Sequence, residues 1–229
     1  METKNTKNKD RGVLFDVDGT LLNTREGILS SIGATLRHFG MRPLKPDEER
    51  LFIGPPIQDS LAKVFGMNKE DAQAFANVFR SKYAQPEFLF QAEPSPGIIS
   101  LMQGLKESGY KIAVATYKRE DYAIDIVTHF GMAEFADSIH GADNNNVLKK
   151  TDIMKLCIRD LMIETSSCVM IGDSDNDAIG AQTTGCPFIG VTYGFGFGSA
   201  NDVAEFAHIG IASSPEEILP IISVFFSGS

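Results

Sequence analysis

Apolar and polar positions along the chain follow two different rhythms. Val13-Leu14-Phe15 is an unbroken apolar run that stops at Asp16, and it predicts a buried strand over about Gly12 to Phe15. From Arg25 to Phe39 the apolar residues Ile28, Leu29, Ile32, Leu36 and Phe39 recur at helical spacing, and Gly40 supplies a stop. Pro46-Asp47-Glu48-Glu49 reads as the start of a short helix with acids in its first turn, broken by Gly54-Pro55-Pro56. Helices are expected over Ile57 to Phe65 and Lys69 to Tyr83, the second with Ala72, Phe75, Ala76, Phe79 and Tyr83 on one face. Residues 25–93 carry no strand signal and read as an inserted all-helical unit.

Past the turn signal Pro94-Ser95-Pro96-Gly97, strands and helices alternate. Strands are expected at Lys111 to Ala115, Ser138 to Gly141, Cys168 to Ile171 and Pro187 to Val191. Between and after them, helices are expected at Ile98 to Glu107, Asp121 to Phe130, Asp152 to Leu161, Ala178 to Thr184, Val203 to Ala207 and Pro215 to Phe226. This order predicts an α/β fold, a doubly wound, Rossmann-like parallel sheet. The expected division is a core of residues 1–24 and 94–229 and a helical domain of residues 25–93.

Composition narrows the function. With 229 residues, 43% hydrophobic and 22% charged, the chain has the make-up of an ordinary globular protein. Its net charge of −9 argues against a nucleic-acid polymer as partner, while leaving room for a local basic pocket that holds a small phosphate. No apolar stretch is long enough for a membrane-spanning helix. The polar opening, Met1 to Asp10, has no apolar segment of the secretory kind and reads as a flexible tail. Cys157, Cys168 and Cys186 form no paired framework, so buried thiols in a reducing cytoplasm are expected. His38, His129, His140 and His208 show no ligand spacing. Oligomeric state is not legible, with monomer as the default.

The chemistry gathers at the ends of the predicted strands, where open α/β sheets bind their ligands. Asp16 and Asp18 close the first strand, Thr116 the second, Asp173 a later one, and Lys149-Lys150 precede a helix. Two carboxylates at i and i+2 offer a nucleophile and a general acid/base within reach of one group. Such a pair favours a nearby cation, and Asp173 with Asp177 adds oxygen ligands of the type Mg²⁺ prefers. Thr116 and a lysine suit phosphate oxygens, and the Asp18-Gly19-Thr20 turn adds backbone N–H groups that favour an anion. Together these residues describe metal-assisted phosphoryl transfer through an aspartyl-phosphate.

On these motifs the chain resembles the haloacid-dehalogenase superfamily phosphatases of the phosphoglycolate-phosphatase-like branch. Asp16-Val17-Asp18-Gly19-Thr20 matches the first motif, Thr116 after Ile112-Ala113-Val114-Ala115 the second, Lys150 the third, and Gly172-Asp173 with Asp177 the fourth. The resemblance implies that Asp16 attacks phosphorus, while Asp18 protonates the leaving oxygen and then activates water. It implies that Mg²⁺ is held by Asp16, the backbone carbonyl of Asp18 and Asp173, with Asp177 assisting from outside the direct ligands. Thr116 and Lys150 would bind the transferring phosphoryl group of a small phosphorylated metabolite, and residues 25–93 would be a mobile cap.

Two departures stand out. The third motif reads Lys149-Lys150-Thr151 with no proline, so Lys149 remains an alternative to Lys150, and Asp175 is left out of the metal set. Lys118 and Arg119 read as a solvated helix start. Gly54-Pro55-Pro56 reads equally as punctuation or as a substrate-specificity loop, and Arg50, Arg80 and Tyr83 are candidate contacts to the leaving group. Competing functions are a sugar phosphomutase of the β-phosphoglucomutase type, which Thr20 disfavours, and a non-catalytic binding or regulatory protein on the same fold.

Overall fold

A computed structural model describes residues 10–144 and 147–227. Most of the polar opening, residues 1–9, and Asn145-Asn146 lie outside the described residues. The chain begins with β1 (Gly12–Phe15) and a two-residue strand, β2 (Leu22–Asn23). Four helices follow: α1 (Arg25–His38), α2 (Ile57–Phe65), α3 (Lys69–Tyr83) and α4 (Pro86–Leu89). Strand β3 (Glu93–Pro94) then pairs antiparallel with β2, Leu22 opposite Pro94. From there the elements alternate as α5 (Ile98–Glu107), β4 (Lys111–Arg119), α6 (Glu120–His129), β5 (Ser138–Ala142), α7 (Lys150–Leu161), β6 (Cys168–Gly172) and α8 (Asp175–Thr184). The chain closes with β7 (Phe188–Val191), α9 (Ala200–Ala204), β8 (Gly210–Ala212) and α10 (Ile218–Ser227).

Six strands form one sheet in the order β5-β4-β1-β6-β7-β8, and each neighbouring pair is parallel. The register sets Phe15 opposite both Val114 and Ile171, so the next residue, Asp16, emerges between the ends of β4 and β6. Its backbone N–H still donates to the Ile171 carbonyl at 3.0 Å. The period-two alternation of a strand splits β1 between two apolar layers. Val13 and Phe15 pack with Ile112, Val114, Val169 and Ile171 in a layer that continues into the helical block through Ile32, Leu36, Leu61 and Phe75. Leu14 packs on the other side with Ala113, Met170, Ile153, Met154 and Cys157.

The expected parallel α/β sheet is present, with four local corrections. The stretch 25–93 is not free of strand, because Glu93 belongs to β3; a two-residue ribbon is too short to leave a periodic trace. Pro46-Asp47-Glu48-Glu49 does not open an α-helix: Glu49–Phe52 forms a single 3₁₀ turn, hemmed in by prolines and Gly54. Strand β4 runs on past Ala115 to Arg119 through a register irregularity, pairing Arg119 with Ala142. Near the C-terminal end the helix expected over Val203 to Ala207 lies at Ala200–Ala204, and β8 was not anticipated. Among the described residues, no helix is long and apolar enough to cross a membrane.

Because Leu14 is fully buried at the centre of the sheet, Leu14→Ala should destabilise the fold by about 2–5 kcal/mol, the range for truncating a buried leucine. Urea denaturation followed by circular dichroism measures it.

Candidate functional site

The sheet register brings the carboxyl ends of β1 and β6 side by side, and the start of α7 delivers a lysine to the same point. Lys150 Nζ lies 2.7 Å from Asp16 Oδ1 and 2.6 Å from Asp177 Oδ1. Asp16, Asp173 and Asp177 are all buried, and each offers a carboxylate oxygen within 4.8 Å of the others. Lys149 is exposed, while its backbone N–H donates to Asp152 Oδ2 at 3.0 Å and so helps start α7. Asp177 divides its two oxygens. Oδ2 accepts from the Ser174 hydroxyl at 2.7 Å and from the Ser174 N–H at 3.1 Å, capping α8, whereas Oδ1 has no well-directed hydrogen bond despite its closeness to Lys150. Asp175 is exposed, outside the cluster.

Three carboxylates face one ammonium here, an excess of two negative charges once all are ionised. Burial first, then Asp177 and Asp18, push the Asp16 carboxyl up to about 6 against the pull of Lys150. Burial, Asp177 and Asp16 push Asp173 up to about 8, with the N–H groups of Phe195 and Gly196 pulling it back. Burial pulls the Lys150 ammonium down, but Asp16 and Asp177 outweigh it and raise it above its ordinary range. A divalent cation among these oxygens would relieve the crowding, and hard carboxylate donors with one under-bonded oxygen suit an ion of the Mg²⁺ type.

A loop after β7 fixes Asp173. Oδ2 accepts from Phe195 N–H at 2.6 Å and Gly196 N–H at 3.0 Å, and the Asp173 carbonyl accepts from Phe197 N–H at 2.7 Å. The alternation in Tyr193-Gly194-Phe195-Gly196-Phe197-Gly198 now has a cause. A Cβ on Gly194 would stand 2.3 Å from Asp173 Oδ2 and 2.4 Å from the Gly19 carbonyl. Gly19 itself turns at φ 84°, in the left-handed region, with Asp173 Oδ2 only 2.1 Å from where its Cβ would be.

Asp18 stands apart from the three clustered acids. Its Oδ1 accepts from Thr24 Oγ1 at 2.6 Å and lies 2.9 Å from Lys118 Nζ. Lys118 is therefore not a solvated helix start: it is buried, at the irregular end of β4, and also donates to the Tyr83 hydroxyl at 2.8 Å. Strand β4 overruns Thr116 as far as Arg119, which pairs with Ala142 of β5. Thr116 is buried at the same strand end, its Oγ1 accepting from the Lys118 N–H at 3.1 Å.

A cavity of about 100 Å³ opens on Asp18 and Lys118 and is roofed by the helical block. Gly54, Pro55 and Pro56 line it, as do Arg80 and Tyr83. Arg50 does not; its side chain is exposed elsewhere. Arg80 also donates to the Asn144 carbonyl at 2.8 Å, tying α3 to the loop after β5. The sequence reading missed Lys118 and the Gly194–Gly196 clamp. A lysine two residues past a strand-end hydroxyl and glycines alternating with aromatics were the available signals.

Comparison with known proteins gives these marks a family context. A family model described as haloacid dehalogenase-like hydrolase matches residues 13–191. A 5′-nucleotidase from Pseudomonas aeruginosa is 32% identical over 187 residues, covering 80% of this chain and 83% of that protein. A phosphoglycolate phosphatase from Neisseria meningitidis is 29% identical over 192 residues, covering 81% and 82%. The solved structure of a predicted phosphatase from Clostridium acetobutylicum superposes with a TM-score of 0.83 at 30% identity, covering 96% of this chain and 99% of that one.

Gly194 lies outside the positive-φ region, so alanine is conformationally allowed there and acts only through the clash with Asp173 and the Gly19 carbonyl. Gly194→Ala should weaken Mg²⁺ or Mn²⁺ binding by about 10- to 100-fold, the scale for disturbing a ligand's support. Titration calorimetry reads the change.

Proposed function

The chain belongs to the haloacid dehalogenase-like hydrolases, and on that footing we propose a Mg²⁺-dependent phosphatase that hydrolyses a small phosphomonoester. The substrate is of the phosphoglycolate or 5′-nucleotide type, in line with the names of its relatives. One observation carries the reading: the buried cluster of Asp16, Asp173 and Asp177 about Lys150, at the mouth of a cavity that Asp18 also reaches.

Asp16 is the nucleophile. Its carboxylate oxygen forms a bond to phosphorus, the ester P–O bond breaks, and the departing oxygen takes the electron pair together with a proton from Asp18. Asp18, now ionised, removes a proton from water as that water attacks the phosphorus of the aspartyl-phosphate. Inorganic phosphate leaves, and both carboxyl groups return to their starting forms. Lys150 and Thr116 hold the phosphoryl oxygens, Lys150 by charge and Thr116 by its hydroxyl. Held by Asp16, Asp173 and the Asp18 carbonyl that the resemblance adds, with Asp177 assisting from outside the direct ligands, Mg²⁺ would neutralise charge on the phosphoryl group. Residues 25–93 act as a cap, with Gly54-Pro55-Pro56 and Arg80 facing the leaving group. The cytoplasm is the proposed compartment, given three buried, unpaired cysteines.

Phosphate release from p-nitrophenyl phosphate should depend on Mg²⁺ and stop with chelator; pure protein inactive on this and a panel of phosphate esters would sink the reading. Asp16→Asn should lower turnover by at least about a thousandfold, as losing a covalent nucleophile does, with an unchanged circular dichroism spectrum. Near-normal rates in that variant would remove Asp16 from its role.

A further inference from the structure

The acid/base carboxyl is held from the joint of the helical block and, through Lys118 of β4, by a side chain of the block itself. Thr24, which donates to Asp18 Oδ1, is the residue between β2 and α1, at the joint where the chain leaves the core. Lys118, the other partner of Oδ1, spans the gap to Tyr83, the last residue of α3 in the helical block. All of this is out of water: the Lys118 side chain is 4% exposed and that of Asp18 11%.

A lysine ammonium on a four-carbon stem is poorly fixed by one carboxylate, since it pivots about a single contact. A second acceptor in a set place removes that freedom. Tyr83 is such an acceptor, because its ring is stacked on Phe79 with centroids 5.6 Å apart and meets the edge of Tyr122 at 5.7 Å. Tyr122 in turn donates its hydroxyl to the Arg80 carbonyl at 2.8 Å, so α6 of the core fixes the end of α3 that carries Tyr83. The described contacts converge on Oδ1, and in the phosphatase reading this leaves Oδ2 to exchange a proton with the leaving group.

We infer that Tyr83 and Lys118 are a positioning pair: Tyr83, brought down with the helical block, pins Lys118, and Lys118 orients Asp18 toward the leaving oxygen. The inference rests on the phosphatase reading and adds to it a residue in the block that acts on the proton-transfer step rather than on binding. General-acid power is then available only when α3 is seated on the core. Thr24 adds the same dependence from the joint.

Leaving-group dependence tests this. p-Nitrophenolate departs without a proton, whereas the alkoxides of phosphoglycolate and of a 5′-nucleoside monophosphate need one. Because kcat/KM reports only as far as the first irreversible step, it isolates formation of the aspartyl-phosphate from its later hydrolysis. Tyr83→Phe keeps the ring and removes only the acceptor. It should lower kcat/KM for the two alkyl esters about tenfold relative to p-nitrophenyl phosphate, a part of the roughly 10²–10⁴-fold that a general acid supplies. Asp18→Asn sets the full size of that split. Lys118→Met should give the same split, and Tyr83→Phe with Lys118→Met together should be no worse than Lys118→Met alone, the non-additivity of residues acting in series. Should Lys118→Met fail to fold, the Tyr83→Phe split decides alone. Equal losses on aryl and alkyl esters in Tyr83→Phe, or no loss on either, would overturn this inference and leave the phosphatase reading standing. A wild-type protein that cleaves none of the esters in Mg²⁺ would overturn both.

Discussion

Three carboxylates cannot share a buried site with one ammonium unless something holds them there. Asp16, Asp173 and Asp177 are held by different means: the strand register for Asp16, a clamp of loop N–H groups for Asp173, and the helix cap at Ser174 for Asp177. Each restraint engages the main chain, and at Asp177 the Ser174 hydroxyl adds to it. The fold therefore bears the repulsion through its main chain, and the excess charge stays poised for a cation and a phosphoryl group.

That constraint explains the arrangement around it. Asp16 must emerge with a neighbouring strand on either side, and an interior strand of a parallel sheet offers this; β1, flanked by β4 and β6, is such a strand. Lys150 must reach the same point from the opposite layer, and α7 packs against Leu14 and Met170 with its first residue at the strand ends. Tyr83 and Lys118 lie on the other side of Asp18, in the direction of the helical block. The nucleophile and the acid/base, two residues apart in sequence, thus answer to different parts of the molecule.

Legibility in the sequence followed the range of the forces involved. Asp16, Asp173 and Asp177 could be read because an apolar run ending in an acid is a local pattern, and so could α2, α3 and α5, whose apolar spacing repeats over two turns or more. The order of motifs along the chain gave the family. Lys118 could not be read, since a lysine after a strand looks solvated until Asp18 and Tyr83, both distant in sequence, are set beside it. The loop from Tyr193 to Gly198 could not be read for a related reason: Gly194 answers to the Asp173 side chain and the Gly19 carbonyl, and Gly196 to the Asp173 carbonyl, rather than to any turn of their own. Choosing between Lys149 and Lys150 was open in sequence because only the phase of α7 separates a buried lysine from an exposed one.

The two-residue ribbon of β2 and β3 has a consequence of another kind. With Leu22 directly opposite Pro94, the chain leaves the core and re-enters it at one spot. Everything between is a closed excursion, and for such a loop each doubling of length costs only about 0.6 kcal/mol of closure entropy. In closure entropy the core is thus nearly indifferent to the length of what is inserted at that spot, although the insert must still cover the apolar layer of Val13 and Phe15. A graft joined there, long or short, would leave the restraints on Asp16, Asp173 and Asp177 in place while giving Asp18 a different roof.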